Sequence, residues 1–104
     1  MSTNHSKDAL VFLEKLTQKS LTLGNLLYSI RQGESLSQSE FAKLLGVSKQ
    51  YVCDLEHGRR FVSPKSAQDY AKKLGYSQDQ FVRLCLQDLL KRDGIDMEVE
   101  LKAA

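Results

Sequence analysis

A short stretch of this chain gathers side chains with the chemistry of phosphate and base-edge recognition. Ser48, Lys49, Gln50 and Tyr51 stand in a row, and Asp54 follows four residues after Gln50. Hydroxyl, ammonium, amide and carboxylate groups are the ones that bond to phosphates and to the edges of bases. Val52 and Leu55, three residues apart, share one face of any helix built here. That face must pack, which leaves the polar set on the free face. Arg59 and Arg60 come immediately afterwards and add two permanent cations.

The elements that must hold this face are legible on either side. Phe41, Ala42, Leu44 and Leu45 give a preceding helix its apolar side, and Gly46 marks a tight turn between the two. Two short helices joined this way form a helix-turn-helix, whose second helix is shaped for the DNA major groove. The charge pattern agrees. Net charge is only +2 over 104 residues, but residues 48–73 carry six cations against three carboxylates, while residues 74–104 are net acidic. With 41% hydrophobic and 27% charged residues the chain reads as one soluble domain. It has no apolar run of membrane-spanning length and no secretory leader pattern, so the cytoplasm is the expected compartment. Cys53 and Cys85 lack metal-ligand spacing and are expected as buried free thiols.

Helices dominate the rest. Leu10, Phe12, Leu13 and Leu16 predict an amphipathic helix from Lys7 to about Gln18, and Leu23, Leu26, Leu27 and Ile30 another ending near Gly33. The two motif helices are expected at Gln38–Leu45 and Lys49–His57. Ser63 and Pro64 start a helix that Gly75 stops, and Ser77 caps one from about Gln78 to Arg92. The last helix has two apolar stripes: Phe81, Leu84, Cys85 and Leu89, then Val82, Leu86 and Leu90 about 100° round. Beyond it Ile95, Met97, Val99 and Leu101 alternate with charged residues, a period-two pattern that predicts a short β-strand. Nothing else in the chain offers that strand a partner. Strand and second stripe together (Val82, Leu86, Leu90, Ile95, Met97, Val99, Leu101) therefore predict a homodimer contact. The chain divides into an N-terminal extension (1–21), a helix-turn-helix domain (22–93) and a dimerising tail (94–104).

The run Ser-Gln-x-x-Phe-Ala-x-x-Leu-Gly-Val-Ser-x-x-Tyr-Val-x-x-Leu-Glu-x-Gly-Arg-Arg, from Ser37 to Arg60, resembles the lambda-repressor-like, or XRE, family of helix-turn-helix proteins. The resemblance implies an all-α bundle, here with an extra N-terminal helix and the C-terminal strand. It implies that Lys49, Gln50 and Asp54 contact bases, and their chemistry agrees: Lys suits guanine, Gln adenine, and Asp the cytosine amine. It implies phosphate contacts from Gln38, Ser48, Tyr51, Arg59 and Arg60, and an internal salt bridge between Arg31 and Glu56. The expected function is a DNA-binding transcriptional regulator, a repressor acting as a homodimer on a palindrome. The alternative is an antitoxin that also binds a toxin protein, through the N-terminal helix or the tail. No catalytic arrangement, metal cluster or cofactor motif is present in the sequence, so neither enzyme activity nor a cofactor is expected.

Overall fold

The computed structural model describes residues 21–102 and 104, which form α1 (Leu23–Gly33), α2 (Gln38–Leu45), α3 (Lys49–Glu56), α4 (Pro64–Leu74) and α5 (Gln78–Arg92). Each helix begins on a hydroxyl. Thr22, Ser37, Ser48, Ser63 and Ser77 each accept a hydrogen bond from the backbone N–H three residues ahead, satisfying a donor that the helix itself cannot pair. At α2 the cap is reciprocal. Glu40 accepts from the Ser37 N–H, and these bonds hold its carboxyl below the usual range. Gly46 and Gly75 end α2 and α4 at φ of 76° and 77°, a left-handed conformation that side chains resist.

One face of each helix enters a common core. Leu27, Phe41, Ala67, Ala71 and Phe81 are fully buried at its centre, and Val52 and Leu55 of α3 join them. Of the α5 stripes, Phe81, Leu84 and Cys85 are buried and Leu89 packs against the core, whereas Leu86 and Leu90 stay half-buried. Cys85 also donates its thiol to the Val62 carbonyl at 2.8 Å, tying α5 to the loop before α4. Cys85 is thus a buried free thiol, but Cys53 is only partly covered. Gly24 sits at a close backbone crossing: a Cβ there would run into the Leu55 carbonyl oxygen, so α1 and α3 approach as only glycine permits.

Two polar contacts orient the helices. In the first, the Glu56 carboxylate of α3 accepts from Arg31 Nε (2.6 Å) and Nη2 (3.0 Å) of α1 and from Gln38 Nε2 (3.0 Å) of α2. Arg31 Nη1 also bonds the Leu36 carbonyl at 2.9 Å, fixing the link between α1 and α2. The side chains of Arg31 and Glu56 keep only 11% and 3% of their exposure. In the second, Asp88 of α5 accepts from the Leu23 N–H at 3.1 Å, closing the start of α1 from across the bundle. Its other oxygen, Oδ1, is buried with no hydrogen-bond partner among the described residues.

The tail differs from expectation. The described residues contain no strand, and residues 95–102 run without regular structure beside α5. The Gln87 amide holds them, donating to the Met97 carbonyl and accepting from the Val99 N–H, both at 2.8 Å. Alternation gives the tail one apolar side, but a strand needs a neighbouring backbone, and a side-chain amide supplies these two bonds instead. The helix expected at Lys7–Gln18 lies outside the described residues.

Removing one member of a buried ion pair strands the other. Glu56→Ala is expected to lower stability by about 3 kcal/mol in urea denaturation, and Arg31→Met with Glu56→Leu together by much less than the sum of the single losses. Additive losses would show that the two groups are not coupled. Burial pushes the Asp88 carboxyl up to about 6. The folded protein therefore keeps, between about pH 4 and 6, a proton that the unfolded chain has released, and stability falls as pH rises through that window. The stability difference between pH 4 and pH 7 should be more favourable to pH 4 in the wild type than in Asp88→Asn, by about 1–2 kcal/mol after solvent screening. Parallel pH profiles would contradict this.

Candidate nucleic-acid interface

The turn that launches α3 is short and held at several points. Gly46 reverses the chain, and Lys73 of α4 reaches over to donate to the Leu45 carbonyl at 3.0 Å. Lys73 also pairs with Asp69 one turn earlier in its own helix, at 3.0 Å. Val47 is partly buried against the core, and Ser48 then caps α3 by accepting from the Tyr51 N–H at 3.1 Å. The Ser48 hydroxyl keeps its own hydrogen for a further acceptor.

From that fixed start the helix divides as its residue pattern demands. Val52 and Leu55 are 1% and 3% exposed, while Ser48, Lys49 and Gln50 at its N-terminal end are open to solvent. Tyr51 lies between the two faces. Its phenol accepts from the Tyr70 hydroxyl at 3.3 Å, and the Arg60 guanidinium stacks on its ring 4.8 Å from the centroid. Burial raises the Tyr70 pKa, so this phenol stays protonated and remains a donor.

Asp54 does not stand alone. The Gln50 amide donates to Asp54 Oδ1 at 3.0 Å, and Arg59 reaches the same oxygen through Nε and Nη2, both at 3.1 Å. The Gln50 bond first, and Arg59 after it, hold the Asp54 carboxyl below the usual range. Gln50, Asp54 and Arg59 thus form one connected surface group, with Arg60 and Tyr51 a stacked pair beside it. His57 turns back on its own helix, with Nδ1 2.8 Å from the Cys53 carbonyl oxygen.

Gln38, half-buried at the first position of α2, uses its amide on Glu56. Arg31 and Glu56, matched in the sequence to an internal pair, lie 2.6 Å apart under α3 rather than on its outer face. The structure therefore brings together Ser48, Lys49, Gln50, Tyr51, Asp54, Arg59 and Arg60 along and just after one helix. The seven tail and α5 residues lie apart from it: Val82, Leu86, Leu90 and Val99 are half-buried, and Ile95, Met97 and Leu101 exposed. Tyr70 and Lys73 join the site without any signal in the sequence. Both sit on α4, some twenty residues further along (about 19 from Tyr51 and 28 from Leu45), and no local pattern announces such long-range partners.

The arrangement presents a short rigid helix with donors and acceptors outward and arginines at its far end. Among the described residues no helix is long and apolar enough to cross a membrane. No solved structure matches the chain. A curated relative, the "ImmF control region 10 kDa protein" of Bacillus phage phi105, is 43% identical over 44 residues, covering 42% of this chain and 49% of the relative. The chain thus spans about half the length of the curated relative it matches. The family model described as "Helix-turn-helix" matches residues 27–81, from within α1 to the first turn of α5 and across the whole of this interface. With more than half of its length matched and the motif's two helices set as described, the chain belongs to the XRE-type helix-turn-helix family.

Proposed function

We propose that this protein is a repressor that binds a palindromic double-stranded DNA operator as a homodimer. The observation that carries the reading is the division of α3: Lys49 and Gln50 at its N-terminal end project into solvent, while Val52 and Leu55 are 1–3% exposed in the core. Such a helix enters the major groove with its first residues against the base edges. Lys49 then suits guanine O6 and N7, and Gln50 suits adenine.

Phosphates flank the groove, and donors flank these two residues. Ser48 retains a hydroxyl hydrogen, Gln38 a second amide hydrogen, Tyr51 stands in the first turn of α3 with Arg60 stacked on its ring, and Arg59 follows the helix. These contacts supply salt-dependent affinity, and the two base readers supply sequence choice. One such helix reads few base pairs, so two copies related by a two-fold axis would read half-sites about 10 bp apart or a multiple of it. The exposed Ile95, Met97 and Leu101 beside half-buried Leu86 and Leu90 are the apolar surface offered for that pairing. The phage relative's description as a control-region protein favours regulation by operator occupancy.

DNA selected from a random pool provides the test. On the selected operator, Lys49→Ala or Gln50→Ala is expected to cost about 1–3 kcal/mol and to relax preference at one base pair, whereas Arg60→Ala weakens binding to all sequences and lowers the salt slope by about 1. Wild-type affinity in both base-reader variants, measured by fluorescence anisotropy, would overturn the assignment. Truncation after Asp93 is expected to shift the protein toward monomer in sedimentation velocity. An unchanged mass would remove the tail from the dimer contact.

A further inference from the structure

Asp54 has two partners of its own on the polar face. Its Oδ1 takes the Gln50 amide at 3.0 Å and two nitrogens of Arg59 at 3.1 Å. An oxygen committed in this way can accept from a cytosine amine only by giving up those donors. It is well placed to do something else. The two ends of a glutamine amide have nearly the same size and opposite hydrogen-bonding character, so a free glutamine presents either order to a base by turning over. A carboxylate is an acceptor only, and it selects the –NH2 end.

We propose, building on the reading of α3 as the base-reading helix, that Asp54 is a positioning residue: it fixes the orientation of the Gln50 amide so that Gln50 reads adenine. With one N–H held by Asp54, the second N–H and the Oε1 carbonyl face outward together. That is the donor–acceptor pair that matches adenine N7 and N6. The i,i+4 spacing sets the two side chains on one helical face within reach, so the order exists before DNA arrives. Arg59 completes the device. A bare carboxylate beside two phosphate rails is repelled, and the guanidinium on Oδ1 removes that net charge while leaving the amide contact in place. Ordering Gln50 in the free protein also removes part of the rotamer entropy lost on binding, which corresponds to about two- to tenfold in affinity.

The test uses the full chain and its Asp54→Ala, Gln50→Ala and double variants, each carried through selection from a random DNA pool and titration on the wild-type operator. Asp54→Ala should relax preference at the base pair that Gln50→Ala relaxes, weaken binding about two- to tenfold, and add little in the Gln50→Ala background. Relaxation at a base pair that Gln50→Ala leaves intact would show Asp54 reading its own base and overturn the proposal. Uniform weakening with preference retained, or no change at all, would overturn it equally. A second readout needs no DNA: the Gln50 side-chain NH2 should give a dispersed pair of nitrogen-15 correlation signals in the free wild type that collapses to solvent-like shifts in Asp54→Ala. Undispersed signals in the wild type would also sink the proposal. If the wild type selects no sequence, the base-reading assignment fails, and the amide signals still decide whether Asp54 holds Gln50.

Discussion

A carboxylate with 3% exposure is tolerated inside this small bundle because donors from two other helices converge on it. Glu56 receives both arms of the Arg31 guanidinium and the Gln38 amide, so α1, α2 and α3 meet at one buried charge. The partner cation is drawn further toward its charged form by the same bond. Breaking any arm leaves ionised or polar atoms out of water without a partner, and the geometry is consequently narrow. Apolar contacts alone would let α3 slide or roll by small amounts with little loss. The buried carboxylate, together with the Gly24–Leu55 backbone crossing, denies it that freedom.

The consequence appears at the other end of α3. Residues that must meet base edges to within a fraction of an ångström need a helix whose rotation is already decided. Glu56 ends the same eight-residue helix that Lys49 and Gln50 begin, so whatever fixes its rotation at Glu56 also fixes the directions of those two side chains. The turn before α3 is pinned independently, by Gly46 and by Lys73 on the Leu45 carbonyl. Fixed entry and fixed rotation together hold in one orientation an eight-residue helix that is too short to be stable by itself.

Local chemistry made much of this readable in advance. The five hydroxyl caps, Pro64 at the start of α4 and the glycines after α2 and α4 act within a few residues, and the helices begin and end at them. The tail failed for an instructive reason. Ile95, Met97, Val99 and Leu101 have the period of a strand, yet the backbone partner that defines one is absent from the described residues, and Gln87 bonds Met97 and Val99 in its place. Asp54 was legible as part of the polar face but not as a ligand of Gln50 and Arg59, because pattern shows which side a residue occupies and not which neighbour it prefers.

By itself the order of residues determined that helices would form, where they would stop, which face of each would be apolar, and that a polar, cationic helix follows a tight turn at Gly46. Those properties follow from spacing, capping and charge, which operate over a turn or two of backbone. Tertiary structure alone decided that Asp88 closes α1 from α5, that Tyr70 and Lys73 of α4 hold Tyr51 and the α2–α3 turn, and that α1 crosses α3 at Gly24. Each of those contacts joins residues from about 19 to 65 positions apart, and such pairs become neighbours only when the whole core has closed around them.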